Sequence, residues 1–93
     1  MIETFSCAET DSTFHGIRSR RFPRAIQQAA RRKLIYLNEA NDLNDLRSPP
    51  GNRLEALKRN LAGSFSIRIN QQWCICFQWE DGNARDVRIV DYH

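Results

Sequence analysis

No apolar run in this sequence approaches the ~18 residues that span a bilayer, so a membrane-embedded chain is set aside at once. Residues 1–5 lack the basic and apolar stretches of a secretory leader, and a cytosolic location is the expectation. There are only three cysteines, Cys7, Cys74 and Cys76. They are too few for a disulfide framework, and the cytosol would keep them as free thiols. Cys74 and Cys76 share one face of a strand, but a tetrahedral metal site takes about four ligands and no further Cys or His pair follows. Neither a metal nor a cofactor is therefore expected. Glycine is sparse and scattered, with no phosphate-cradling motif, and there is no internal repeat or low-complexity tract. A chain of 93 residues has room for one domain, 1–93, and none for a second.

A further absence is local. Between Asp11 and Glu39 there is no acidic residue, while Arg18, Arg20, Arg21, Arg24, Arg31, Arg32 and Lys33 all fall there, half of the chain's 14 Lys and Arg. The net charge is only +3, so the positive potential is concentrated in one segment, suited to a phosphate backbone or an acidic partner. A solvated helix face is the bland alternative.

What is present reads as helices followed by strands. Residues 2–7 can form a short strand, and Thr10 or Asp11 can cap a helical turn that stops near Gly16. Pro23 suits the first turn of a longer helix. Phe22, Ile26, Ala29, Ala30, Leu34, Leu37 and Ala40 recur at three- and four-residue spacing and mark its buried stripe. Leu43 and Leu46 suggest another turn capped by Asn41, before residues 48–51 (Ser-Pro-Pro-Gly) force a loop. After Arg53 the period becomes two: Phe65, Ile67 and Ile69 alternate with polar residues, as do Trp73, Ile75, Phe77 and Trp79. A hairpin loop over 70–72 sets Ile67 against Ile75 and puts all the large apolar residues on one side. The same register places Arg68 beside Cys74 on the other side. A turn at 81–83 leads to a last strand carrying Val87, Ile89 and Val90. The order predicts an α+β fold, with N-terminal helices on one face of a mainly antiparallel sheet of four to five strands.

The sheet's other face is where chemistry could sit. Metal-free cleavage of RNA needs the ribose 2′-hydroxyl deprotonated, the leaving 5′-oxygen protonated, and the phosphorane charge met by cations. Arg68, Lys58 and Arg53 supply cations there, and Asp91, Tyr92 and His93 supply acid–base groups, although a polar strand end is more often simply frayed. His15, alone in a turn, reads as a surface residue. Trp73 and Trp79 fit the alternating apolar pattern better as core than as base-stacking platforms.

Several stretches resemble a known family. Residues 53–58 (Arg-Leu-Glu-Ala-Leu-Lys), Gly63, residues 66–70 (Ser-Ile-Arg-Ile-Asn), Trp73 and above all the ending Val90-Asp91-Tyr92-His93 are similar to HigB toxins of type II toxin–antitoxin systems. Residues 2–5 and 48–54 match as well, especially the branch that includes the GraT toxin. The resemblance spans essentially the whole chain. It implies a RelE-like fold and a ribosome-dependent endoribonuclease that cleaves translated messenger RNA in the decoding site. Its implied partners are a HigA-type helix-turn-helix antitoxin, the ribosome and mRNA, with operator DNA reached only through the antitoxin. By position, the family's catalytic ending falls on Asp91, Tyr92 and His93, and its earlier histidine falls on Glu55, a carboxylate that can still act as a base. Arg68, Lys58 and Arg53 are then the RNA-binding cations, and Arg20, Arg21, Arg24, Arg31, Arg32 and Lys33 the ribosome-docking ones.

One departure stands out. The family usually carries arginine after the tryptophan, where this chain has Cys74. An arginine would grip a phosphate through two donors and a thiol cannot, a loss commonly worth about 10²–10³ in rate. Two readings follow: a working endoribonuclease, attenuated to some degree, or a weakened homologue acting mainly as an antitoxin-binding co-repressor. A free-standing DNA-binding domain is less favoured, because no helix-turn-helix pair is evident.

Overall fold

In a computed structural model that describes residues 1–57 and 63–91, helix α1 spans Ala8–Phe14 and helix α2 spans Arg24–Glu39. Both pack on one side of a four-stranded antiparallel sheet in the order β1-β2-β3-β4, formed by Glu55–Ala56, Ser64–Arg68, Trp73–Glu80 and Asn83–Asp91. The α+β architecture expected from the residue pattern is the one observed. The apolar stripe of α2 explains why: Ile26, Ala30, Leu34 and Leu37 are buried against Ile67, Ile75, Phe77, Val87 and Ile89 in one core cluster. Phe22 adds an edge-on contact to Trp73, with ring centroids 5.7 Å apart. Trp79 meets Phe77 in the same edge-on way at 6.3 Å, so both tryptophans lie against the core.

Local chemistry corrects several of the expected boundaries. Helix α1 begins at Ala8 with Cys7 as its N-cap, not at Thr10 or Asp11. Thr10 is buried inside the helix, where its hydroxyl accepts a 2.9 Å hydrogen bond from the Ile89 amide and ties α1 to β4. Pro23 precedes α2 as its N-cap. The turn Leu43–Arg47 is 3-10 in character and is capped by Asp42 instead of Asn41. Asp42 accepts from the Asn44 amide, and Asp45 reaches back to accept from the amides of Asn41 and Asp42.

The N-terminal segment runs parallel to β4 without becoming a regular strand. It makes isolated bridges Ile2–Ala84 and Phe5–Val87, interrupted where β4 bulges. The bulge follows from the register: Cys76 pairs with Arg88 and Gln78 with Arg85, so two β4 residues, Asp86 and Val87, oppose Phe77 alone. Asp86 is the inserted residue, with φ of 52°, and its amide donates to Thr4 Oγ1. This insertion resets the alternation of β4, keeping Ala84, Val87 and Ile89 all on the core side.

Candidate functional site

The β2–β3 hairpin turns as its sequence requires. Asn70 Oδ1 accepts from the amides of Gln72 and Trp73, both at 2.8 Å, closing the loop over 70–72. Ile67 then pairs with Ile75 and Arg68 with Cys74, the register read from the alternation. Away from the helices, two rows cross the sheet. One runs Glu55, Ser66, Cys76, Arg88 and the other Arg68, Cys74, Val90. Glu55 and Arg68 are diagonal neighbours on this face, with backbones about 7–8 Å apart.

This face is floored by small side chains: Ser64, Ser66, Cys74 and Cys76 are all buried, Cys74 to 1% exposure. The Cys74 and Cys76 sulfurs lie 3.8 Å apart. That contact and burial push the Cys74 thiol pKa up, whereas Cys76 is lowered by the thiol of Cys74 and by the charge of Arg88. Among the described residues no group of three or more His, Cys, Asp or Glu is arranged to hold a metal.

Above the Arg68 end of the face is a groove of about 400 Å³ lined by Gly51, Arg53, Arg68, Asn70 and Gln71. It joins Arg53, from the loop before β1, to Arg68, from β2. Two guanidinium-bearing side chains thus border one groove, and a guanidinium is the donor that grips a phosphate through paired N–H groups. Arg88 belongs to the same face but was not among the residues expected there. Simple alternation back from Ile89 and Val87 does place it outward, but the bulge at Asp86 hides the full β4 pattern from a sequence reading.

Asp91 requires a correction. It pairs with Trp73, and direct partners across an antiparallel ladder share a face, so it belongs to the helix-packed side and not to the side that carries Arg68. There its carboxylate accepts a 3.2 Å hydrogen bond from Gln72 Nε2, linking the end of β4 to the hairpin loop. The expected candidates Lys58, Tyr92 and His93 lie outside the described residues.

The basic segment divides in the structure. Arg20, Arg21, Arg24, Arg31 and Arg32 are exposed, as is Arg18. Lys33 is not: it is 8% exposed, and its ammonium donates to the buried Asn52 side chain, so it joins α2 to the loop before β1 instead of facing a partner. Burial, with the nearby charge of Arg32, lowers its pKa. His15 is exposed and engages Asp11, Nδ1 to Oδ1 at 3.0 Å. No helix among the described residues is long and apolar enough to cross a membrane.

Comparison with known proteins gives consistent results. A family model described as the RelE-like toxin of the type II toxin–antitoxin system HigB matches residues 8–93. Toxin HigB-1 of Vibrio cholerae serotype O1 is 51% identical over 67 residues, 72% of this chain and 70% of that protein. An uncharacterized protein of Haemophilus influenzae is 34% identical over 67 residues, covering 72% of this chain and 66% of its own length. Among solved structures, a YoeB–YefM complex from Staphylococcus aureus superposes with a TM-score of 0.62 at 16% identity, over 100% of this chain and 98% of that one. A heterotetrameric YoeB–YefM toxin–antitoxin complex from the same organism gives 0.61 at 18% identity, with the same coverage. At such identities the likeness is one of fold.

Proposed function

The chain belongs to the HigB family of RelE-like toxins of type II toxin–antitoxin systems, and from that premise we propose that it is a ribosome-dependent endoribonuclease, cutting translated mRNA in the ribosomal A site without a metal. The observation that carries this reading is the Arg53–Arg68 groove with Glu55 on the adjoining sheet face. Glu55 takes the proton from the ribose 2′-hydroxyl, O2′ bonds to phosphorus, the bond from phosphorus to O5′ breaks, and an acid at the C-terminal end, His93 or Tyr92, protonates the leaving oxygen. Arg68 and Arg53, with Lys58, meet the charge that builds on the phosphorane. Asp91 acts by position: its bond to Gln72 holds the end of β4 against the hairpin loop that borders the groove.

The remaining roles follow from the same premise. The exposed arginines Arg20, Arg21, Arg24, Arg31 and Arg32 dock ribosomal RNA. A HigA-type helix-turn-helix antitoxin neutralises the toxin and carries it to operator DNA. The site of action is the cytoplasm. Production of the chain in a bacterial host without antitoxin, with the 5′ ends of cellular mRNA mapped, tests the reading. Growth arrest with new ends inside translated frames supports it, and normal growth with intact messages refutes it.

A second reading is favoured by one observation, the buried Cys74 thiol in the row between Arg68 and Val90. There the side chain brings no cation to the phosphate. In that case the chain acts mainly as an antitoxin-binding co-repressor, and production without antitoxin leaves growth unaffected.

A further inference from the structure

The sheet face away from the helices holds a pair of thiols that the proposed cleavage does not use. Cys74 and Cys76 stand two residues apart on β3, so both side chains leave the strand on the same side. Their sulfurs are 3.8 Å apart, in direct contact, and both are free thiols. Cys76 stands between Ser66 of β2 and Arg88 of β4, and Cys74 between Arg68 and Val90. The two thiols are not equivalent. Cys76 is 6% exposed and Cys74 only 1%. The hydrogen bond with the Cys74 thiol, and then the charge of Arg88, hold the Cys76 pKa below the ordinary thiol value against the opposing effect of burial. A thiolate is the attacking form of cysteine, so Cys76 is the nucleophile of the pair and Cys74 the thiol in contact that can resolve it.

A bond between them would not leave the strand as it is. Two residues of extended chain put the Cα atoms about 6.8 Å apart, the upper end of what a disulfide spans. The sulfurs must also close to about 2.05 Å, so β3 has to contract across Ile75. Ile75 is fully buried, and β3 is paired along both edges, so the contraction acts on the partners of the two cysteines, Arg68 in β2 and Arg88 in β4. One place can give. The ladder already loses step just beyond Cys76, where two β4 residues oppose Phe77 and the strand is locally bent. A disulfide strained in this way is easily reduced, which suits a reversible modification and not a structural bridge.

We propose that Cys74 and Cys76 form a peroxide-sensitive modification site, in which closure of an intrastrand disulfide distorts β3 and shifts Arg68 out of place in the groove it borders. The Cys76 thiolate attacks one oxygen of hydrogen peroxide. The O–O bond breaks, Cys76 becomes a sulfenic acid, and the released hydroxide takes up a proton as water. The Cys74 sulfur then attacks the Cys76 sulfur: the S–S bond forms as the S–O bond breaks, and the departing hydroxide leaves as water with the Cys74 proton. The two thiols together lose an electron pair, and the peroxide is reduced to water. A cellular thiol restores the pair by exchange through a mixed disulfide. The thiol chemistry and the strand distortion stand apart from the endoribonuclease reading; only their consequence, loss of RNA cleavage, rests on it.

The test treats the folded Cys7→Ser variant, whose remaining thiols are this pair, with hydrogen peroxide, removes the peroxide, alkylates the thiols still free, and weighs the tryptic peptide 69–85, which carries both cysteines. The expected peptide has lost a pair of hydrogens, takes no alkyl group, and is restored by dithiothreitol. Adding Cys74→Ser should stop the reaction at a sulfenic acid on Cys76 that dimedone traps. In the oxidised protein, amide hydrogen exchange over β2 and β3 should be about 10-fold or more faster. Ribosome-supplemented cleavage should be about 10-fold or more slower and should recover with dithiothreitol, whereas a protein carrying Cys76→Ser should cut equally before and after peroxide. A peptide that still takes two alkyl groups, a disulfide that joins two chains, or an oxidised pair with unchanged exchange overturns the proposal. So does an oxidised protein that cuts as fast as the reduced one. A reduced protein that cuts no message sinks the endoribonuclease reading instead, and the peptide mass and the exchange rates still decide the thiol site.

Discussion

Arg68 and Cys74 face each other across the β2–β3 ladder, a charged side chain beside a thiol that is only 1% exposed. Cys74, where the family resemblance implies an arginine, is therefore a floor residue of the sheet. Replacing it, Cys74→Arg, sets two like charges directly opposite and forces a guanidinium out of a buried position, at roughly 1–3 kcal/mol of stability. If the missing cation limits catalysis, cleavage in a ribosome-supplemented reaction rises about 10²-fold all the same. Equal rates for parent and variant would show that Arg68, Arg53 and their neighbours already supply the charge.

The assignment of roles on the sheet predicts an ordering of losses. Arg68→Gln lowers single-turnover cleavage by about 10²–10³, and Glu55→Gln by about 10²–10⁴. Asp91→Asn keeps an oxygen that can accept from Gln72, so it should cost less than about 10-fold if Asp91 only positions the loop. A loss at Asp91→Asn as large as that at Glu55→Gln would restore Asp91 as a proton-transfer group.

The bulge makes a prediction independent of function. Asp86 holds a left-handed conformation, with its backbone amide and carbonyl bonded to Thr4 and Ser6. Asp86→Gly keeps those bonds and removes the conformational penalty, while Asp86→Val, β-branched, is expected to lose about 1–2 kcal/mol. Urea denaturation of the pair measures the difference, and equal midpoints would contradict the left-handed assignment.

Lys33 gives a pH dependence with a definite sign. Burial and the charge of Arg32 lower its pKa from the ordinary 10.5. Just below that value the unfolded chain still holds a proton that the folded chain has begun to release, so stability from this site rises with pH. Between about pH 8 and about pH 10 the wild type should gain on Lys33→Met in urea midpoint; a flat or shrinking difference would argue against the lowered pKa. At neutral pH, Asn52→Ala leaves the buried ammonium without its acceptor and is expected to cost about 2–3 kcal/mol.

Much of this was legible in the sequence wherever period and face coincide. The stripe from Phe22 to Leu37 and the alternation from Phe65 to Trp79 gave the layers, and residues 70–72 gave the register that puts Arg68 beside Cys74. What stayed hidden depended on contacts between distant segments. Nothing near Thr10 says that its hydroxyl meets the Ile89 amide, and nothing near Lys33 says that Asn52 will take its ammonium out of the surface charge. Asp91 was misplaced for another reason: its polar type suggested the free face, while its pairing with Trp73 fixes it on the other one.

The most direct test is a purified translation reaction programmed with a defined message, compared with the same message without ribosomes, with 5′ ends mapped in each. An A-site endoribonuclease built on Arg68 and Glu55 cuts the translated message, leaves the naked RNA intact, and loses the cut when both Glu55→Gln and Arg68→Gln are introduced. Cleavage of naked RNA at the same rate, or undiminished cutting by the double variant, would contradict it.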